Sequence, residues 1–411
     1  MRRAGGVAWT LVLLGVLSGA ARLAAAQQQG GSEATAQGRI AGRVLDVHGM
    51  GTRRYFVLLP RSGPPVAVVH KIELGSFDGF PGEVRPYAAW TELHTTLRSL
   101  VQGKTVALEV SPEDAVPYLD RVPHGVVELL ESLGARIVSS APLVTLFAAR
   151  WSATELAGHR RAAEAIAAVA RESLGWAGAE LGRGTVVRET DVQRHVLEGF
   201  DRAGVVTDHP PIAAFGPNAA NPHYEPHSGA DRVLALGEVL LLDLWAGPAR
   251  GTVFADQTWM GLAGRTPDPE VARVWTVVRD ARDAAVARLV ERWRPVTDSL
   301  SVAGANGGGS AVTGAELDDA ARAVIRLAGY GEWFVHRTGH SIDRELHGSG
   351  PHLDNFETAD TRTLQAGIGF SVEPGVYLPG RFGVRSEINV YLGDTEPEVT
   401  PKAPQCDLML V

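Results

Sequence analysis

Two pairs of carboxylates stand in mirror positions about tight turns, each inside an otherwise apolar stretch, and this arrangement constrains the chain more than any other feature. The first stretch runs Val239-Leu-Leu-Leu-Asp243-Leu-Trp-Ala, then Gly247-Pro248-Ala249-Arg250-Gly251, then Thr-Val-Phe-Ala-Asp256-Gln-Thr258. Apolar runs on both sides of a Gly/Pro cluster predict a β-hairpin. The mirror point of Asp243 and Asp256 falls between Ala249 and Arg250, so the reading places them directly opposite each other. The second stretch, Phe370-Ser-Val-Glu373 through Pro379-Gly380 to Arg385-Ser-Glu387-Ile-Asn-Val, mirrors Glu373 and Glu387 about Gly380. Side chains that face one another across a strand pair lie roughly 5 Å apart at Cβ. Two carboxylates so close in apolar surroundings repel each other and lose hydration. A divalent cation offsets both costs. A single acid of this kind is more often a cap or half of a salt bridge. Two independent facing pairs point to metal.

Carboxylate-rich sites usually include an imidazole. His336, His340, His347 and His352 follow a helical stretch closely, and spacing alone does not choose among them. Four carboxylates and one imidazole suit two divalent ions, with manganese favoured and cobalt or zinc as alternatives. A pair of ions 3.5–4 Å apart can share a bridging hydroxide. A polar, turn-rich loop, Phe215-Gly-Pro-Asn-Ala-Ala-Asn-Pro-His223-Tyr224, precedes the first hairpin, and such loops carry function more often than core segments do.

Around these hairpins the chain reads as α/β (α+β) with two domains. Residues 40–150 alternate short strands and helices. Strands are predicted at 55–59 and 66–69 about the turn Arg61-Ser-Gly-Pro-Pro65, with another at 106–110, a helix over 124–133 ended by Gly134, and a strand at 136–138. Residues 151–411 form the second domain. Ser152 with Glu155 three residues on is a capping box opening a long Ala-rich helix over 152–179. Further helices are predicted over 268–293 and from Thr313 to about Leu327, separated by a Gly-rich loop, 304–309. Helix followed by hairpin occurs twice, which allows two related halves.

The N-terminus has a different character. Arg2 and Arg3 precede an apolar run over 7–17, and Ala24-Ala25-Ala26 ends the segment. A basic start, a short apolar stretch and small residues at the end describe a cleavable export signal over 1–26, followed by a polar leader over 27–39. The run is short for a bilayer span, so no stable membrane span is expected after processing. The formal net charge is −8. Loss of Arg2, Arg3 and Arg22, with no acid, takes it to −11, which disfavours nucleic acid as a partner. Cys406 is the only cysteine, so no intrachain disulfide and no cysteine-based metal site is available.

The residues His223-Tyr224, Leu242-Asp243, Asp256-Gln-Thr258, His336-x-x-Gly-His340, Glu373-Pro-Gly-x-Tyr377 and Arg385-Ser-Glu387 resemble, in that order, the motifs of the pita-bread metallopeptidases. That group includes aminopeptidase P, prolidase and methionine aminopeptidase. The resemblance runs from about Ser152 to the C-terminus. Residues 55–150 are similar to the creatinase/prolidase N-terminal domain, which favours the proline-directed branch. The resemblance implies a pita-bread fold with two pseudo-related halves. It selects His340 as the imidazole ligand beside Asp243, Asp256, Glu373 and Glu387. It implies catalytic roles for His223, His347 and Glu373, and substrate-side or supporting roles for His336, Arg385, Thr258 and Tyr377. It implies hydrolysis of Xaa-Pro bonds by a hydroxide bridging the metals, acting on proline-containing peptides, and a homodimer. The chain departs from the pattern at Trp259, at Asp343 where glycine is usual, and at Gly348-Ser349-Gly350. Prolidases tend to carry a basic residue between the histidine and first glutamate ligands, and Arg362 lies there. A metal-free creatinase-like C–N hydrolase and a non-catalytic peptide-binding module are the alternative readings. The intact acid set argues against both.

Overall fold

The structure is a computed structural model. It describes the backbone of residues 9–15, and residues 53–294 and 312–411. The expected polar leader and the Gly-rich loop at 304–309 lie outside the described residues. Two compact units meet in the chain between Phe147 and Ala148.

The first unit is built on a six-stranded sheet. Its strands are β1 (Trp9–Gly15), β2 (Tyr55–Pro60), β3 (Val66–His70), β4 (Glu83–Tyr87), β5 (Thr105–Leu108) and β6 (Arg136–Ser139), in the spatial order β4-β3-β2-β1-β5-β6. β2 and β3 pair antiparallel, Tyr55 opposite Val69, about the expected Pro/Gly turn. Helices α1 (Trp90–Val101) and α2 (His124–Ser132) bury Leu93, Leu97, Val101 and Leu130. A short helix, α3 (Ala141–Val144), ends the unit. β1 occupies residues expected to form the core of a cleavable export signal. A run of seven mostly apolar residues satisfies a strand as well as a signal core, because hydrophobicity without periodicity does not separate the two. Here it pairs antiparallel with β2 and parallel with β5.

The second unit repeats one theme: two helices, then an antiparallel hairpin. The first half contains α4 (Ala153–Gly182), α5 (Glu189–Ala203), β7 (Ile212–Phe215), β8 (Val239–Ala246) and β9 (Ala255–Leu262). The second contains α6 (Pro269–Arg292), α7 (Gly314–Leu327), β10 (Ser341–Ile342), β11 (Gly369–Val372), β12 (Gly375–Leu378), β13 (Phe382–Arg385) and β14 (Ile388–Leu392), followed by β15 (Pro397–Thr400) and β16 (Met409–Leu410). Ser152 caps α4, its hydroxyl accepting from the Glu155 amide while the Glu155 carboxylate accepts from the Ser152 amide. Asp268 and Thr313 cap α6 and α7 in the same manner, each accepting from an amide in the first turn. α5 was not anticipated, although Val192, Val196 and Phe200 recur at helical spacing and Gly204, with φ 66°, terminates it.

The hairpin faces decide where the acids point. On β8, Leu240, Leu242, Leu244 and Ala246 pack against α4 and α5, and on β9 Ala255 and Trp259 join them. Gly261 lets α4 approach, because a Cβ there would lie 2.9 Å from Leu174 Cδ2. Val239, Leu241 and Met260 face the other core, and Asp243, Asp256 and Thr258 share that face by strand alternation.

One buried side chain ties α4 to the sheet region. The His159 ring is fully buried and donates from Nδ1 to the Phe254 carbonyl at 3.0 Å, so Nε2 accepts from the Thr400 hydroxyl at 2.9 Å. Burial pushes its pKa down to about 4, against the pull of Glu398. A depressed imidazole contributes stability that is complete above its unfolded value near 6.5 and is lost as pH falls through 4. Urea unfolding between pH 7 and pH 4 should therefore show a loss for the wild-type chain exceeding that of His159→Gln by up to ~3 kcal/mol. Parallel losses in the two proteins would contradict this.

Candidate metal centre

Asp243 lies on β8, and Asp256 and Thr258 lie on β9. The register pairs Asp243 with Thr258 and Trp245 with Asp256. Asp243 and Asp256 are therefore diagonal neighbours on one face, not direct partners as the mirror argument placed them. The reason is the loop: Gly247 is drawn off to pair with Val206, and the fold point moves to between Arg250 and Gly251, where Gly251 takes φ 73°. The second hairpin keeps the expected register. Val372 pairs with Ile388 and Gly375 with Arg385, and Gly380, with φ 73°, sits at the turn. Pro374 separates β11 from β12, and Glu373 and Glu387 occupy this break on facing strands. His340 precedes β10, whose Ser341 pairs with Phe370.

These five residues converge. Single ligand atoms of Asp256, His340 and Glu387 all lie within 4.8 Å of one another. His340 Nε2 is 3.4 Å from Asp256 Oδ2 and 3.4 Å from Glu373 Oε1. Asp243 joins through Thr258, whose hydroxyl donates to Glu387 Oε2 at 2.8 Å and lies 3.3 Å from Asp243 Oδ1. Arg385 Nε donates to the same hydroxyl at 2.7 Å, and the guanidinium pairs with Asp243. Asn389 fixes the Asp256 backbone from both sides, accepting from its amide and donating to its carbonyl. Ser371 donates to Glu373 Oε1 at 3.0 Å while accepting from the His340 amide at 3.0 Å.

The donor set fits a divalent cation. His340 Nδ1 is 3.1 Å from the Ser341 carbonyl and must donate to it. In the neutral ring, Nε2 then carries a lone pair aimed at two carboxylates, an arrangement relieved either by a proton on Nε2 or by a metal cation between them. Glu387 Oε1 is buried with no hydrogen-bond partner. Burial, followed by the neighbouring acids, holds the Glu387 carboxyl well above its ordinary range. Burial likewise raises Asp256 to about 6 and raises Asp243 despite Arg385. For Glu373 burial is outweighed by His340, Arg385 and His336, and its pKa falls. For His340 the two carboxylates outweigh burial, and its pKa rises.

Three further histidines border this cluster. His336 donates from Nδ1 to the Arg337 carbonyl at 2.7 Å, so Nε2 accepts from the Tyr377 hydroxyl at 2.8 Å. The His347 ring lies 4.3 Å from that of His340, inclined at 51°. His340, then burial and Arg337, push the His347 pKa down to about 3, and His223 adds to the shift. His223 is exposed on the loop after β7. That loop hangs on a residue the sequence reading missed. Glu189, fully buried at the start of α5, accepts from the Phe215 amide at 2.7 Å, Asn218 Nδ2 at 3.0 Å, the Tyr224 hydroxyl at 2.6 Å and the Arg232 amide at 2.8 Å. An acid at the first turn of a helix looks like an ordinary cap in sequence, so only its tertiary partners reveal it. Arg362 is turned inward: it pairs with Asp360 at 2.7 Å and donates to the Ser349 and Gly350 carbonyls, which removes it as the holder of a substrate carboxylate.

Residues 157–394 match the sequence profile of Metallopeptidase family M24. The chain is 27% identical over 337 residues to the "Probable dipeptidase PepE" of Mycobacterium tuberculosis, covering 80% of this chain and 79% of that protein. It is 33% identical over 206 residues to the "Xaa-Pro dipeptidase" of Lactobacillus helveticus, 49% of this chain and 46% of that one. Among solved structures, dipeptidase PepE from Mycobacterium ulcerans superposes with a TM-score of 0.61 at 26% identity, covering 89% of this chain and 88% of that chain. X-Pro aminopeptidase from Thermotoga maritima shares the fold, with a TM-score of 0.54 at 24% identity over 88% of this chain and 91% of that one.

The raised carboxyls set a pH dependence. In the metal-free chain their stabilisation is complete below about pH 4 and is lost as pH rises through about 6. A divalent ion competes with those protons, so it should stabilise more at pH 8 than at pH 5. At a hundredfold excess over Kd, binding adds ~2.7 kcal/mol. Thermal unfolding of chelator-treated protein with and without manganese at the two pH values checks this, and an equal or absent shift contradicts it.

Proposed function

The chain belongs to metallopeptidase family M24 and has the pita-bread fold, and from that premise we propose that it hydrolyses Xaa-Pro bonds with two divalent ions, manganese foremost, held by Asp243, Asp256, His340, Glu373 and Glu387. What carries the reading is the lone-pair side of His340 facing buried carboxylates, with His223, His336 and His347 at its border. The names of the similar proteins, dipeptidase and Xaa-Pro dipeptidase, support the substrate class.

Bound ions would acidify a water and polarise the scissile carbonyl. The rest falls to the chain. Glu373, ionised and steadied by Ser371, takes the proton of the attacking water and returns it to the leaving nitrogen. Any scissile nitrogen must gain a proton to leave as an amine, and a prolyl nitrogen, which has none before cleavage, leaves as a secondary amine carrying the one delivered. His347, neutral at pH 7, hydrogen-bonds the carbonyl oxygen as it gains charge, and His223 steadies the leaving side. His336 and Tyr377, bonded to each other, shape the substrate wall. Arg385 and Thr258 keep Asp243 and Glu387 in place.

Arg337 is the residue we assign to a substrate carboxylate. It is half-buried, its charge reaches His340, His347 and His352, and its guanidinium makes a 3.9 Å contact with Glu357. Dipeptides are then the favoured substrates. A homodimer is part of the same reading. Export is also proposed, from the basic start and apolar run; since residues 9–15 also form β1, intact mass of the protein recovered from its host decides it. A start at Gln27 supports export, and a retained Met1 rejects it.

The central experiment strips the protein with chelator, restores manganese or cobalt, and offers dipeptides and longer peptides with proline second. We expect turnover that needs metal and falls at least ~1,000-fold in Asp256→Ala, on the scale of losing an electrostatic transition-state contact. Turnover indifferent to Asp256, or none with any ion, defeats the reading. For Arg337→Ala, KM for dipeptides should rise about tenfold while C-terminally amidated substrates are unaffected, equivalent to ~1.4 kcal/mol. Equal losses on both substrate types would remove Arg337 from that role.

A further inference from the structure

We propose that Asp343 is a positioning residue for His347, and that Asp343 and Gly348 form a matched pair that sets the rim of the site in this chain. The proposal rests on the site reading above, in which His347 faces the substrate.

Asp343 follows β10 directly and is buried. Its carboxylate closes the loop that carries His347. Oδ1 accepts from the Glu345 amide at 2.9 Å, and Oδ2 accepts from the Ser349 amide at 2.8 Å. The backbone adds two ties: the Asp343 amide donates to the Glu345 carbonyl at 3.1 Å, and the Gly348 amide donates to the Ser341 carbonyl at 2.7 Å. One carboxylate thus grips the loop on both sides of His347. Gly348 makes room for it. A Cβ at 348 would stand 2.8 Å from Asp343 Cγ, Oδ2 and the backbone nitrogen, a separation real Cβ atoms do not tolerate.

The first side of the loop has other anchors, because Arg344 donates to the Ala148 carbonyl at 3.1 Å and pairs with Glu155 at 2.7 Å. The side after His347 is held by Asp343, by the Ser341 carbonyl and, further on, by Arg362, which donates to the Ser349 and Gly350 carbonyls; among these contacts Asp343 takes the Ser349 amide. The histidine itself is exposed, so its orientation against His340, 4.3 Å between ring centres, depends on this hold. The contacts join the two positions: the space a side chain at 348 would need is filled from 343.

Asp343→Asn tests this at constant volume. One oxygen is kept as an acceptor, while the amide nitrogen presents a donor to an N–H and breaks one of the two bonds. In metal-free protein, hydrogen exchange at the Glu345 and Ser349 amides should speed up at least tenfold at one or both positions, with exchange in β8 and β9 unchanged. In the metal-loaded enzyme, kcat/KM should fall about tenfold, mostly in kcat, while manganese affinity stays within twofold. Gly348→Ala should cost a similar factor, and the double variant should lose less than the product of the two, because both act on one contact. Unchanged exchange in Asp343→Asn, a loss of activity matched by loss of metal affinity, or fully multiplicative losses would each overturn the proposal. Should the wild-type chain cleave no Xaa-Pro peptide with any ion, the functional reading fails, and the exchange measurement still decides whether Asp343 holds the loop.

Discussion

Four carboxylates gathered around one imidazole are the constraint on which the second unit is arranged. Asp243, Asp256 and Glu387 are buried and Glu373 is half-buried, a placement that costs several kcal/mol per uncompensated ion. Arg385 answers part of that charge through Asp243. The remainder asks for cations or protons, and the raised pKa values of Asp256 and Glu387 register that demand. A site in debt to this degree stays assembled only on rigid supports. Each half accordingly presents its acids from a strand pair, and Asn389 and Ser371 bond to backbone and side chain beside the ligands.

The support differs by distance from the centre. The five clustered residues sit on strands, in the break between strands or, for His340, directly before one, where backbone pairing fixes them. His223 and His347 sit on loops, and each loop is pinned by a buried carboxylate, Glu189 in one case and Asp343 in the other. A buried carboxylate that accepts several N–H or O–H donors is well suited to this task, since losing any one donor leaves the charge exposed to the full desolvation cost. The five clustered residues and the two loop histidines therefore rest on separable parts of the fold.

Much of this was legible in sequence, and the exceptions have physical causes. The capping boxes and caps at Ser152, Asp268 and Thr313 start helices where their spacing predicts. The mirror argument worked for the second hairpin because Gly380 occupies the turn centre with a positive φ. It slipped for the first because Gly247 pairs outside its own hairpin, with Val206. Strand alternation still kept Asp243 and Asp256 on one face, because a shift of two residues in register preserves the side to which each points. Trp259, one of the departures from the pattern, is turned away from Asp256 and Thr258: it faces α4, lies under Arg171 and donates to Gln257. The apolar run near the N-terminus carried no periodicity, so nothing in it distinguished a strand from an export signal.

Choosing among the histidines was the step that spacing could not take, and the structure supplies the physical criterion. His336 spends both ring nitrogens on neutral partners, the Arg337 carbonyl and the Tyr377 hydroxyl. His352 accepts from the Ser341 amide through Nδ1 and is buried, which keeps it neutral. His347 stands at the rim, with the neighbouring His340 as the first cause of its lowered pKa. His340 alone among these four directs a nitrogen at two carboxylates while its other nitrogen donates to a backbone carbonyl. That tautomer is forced by the Ser341 carbonyl, which belongs to the short strand pairing with β11. The imidazole that faces the carboxylates is thereby oriented by a backbone hydrogen bond, a feature that no side-chain spacing in the sequence encodes.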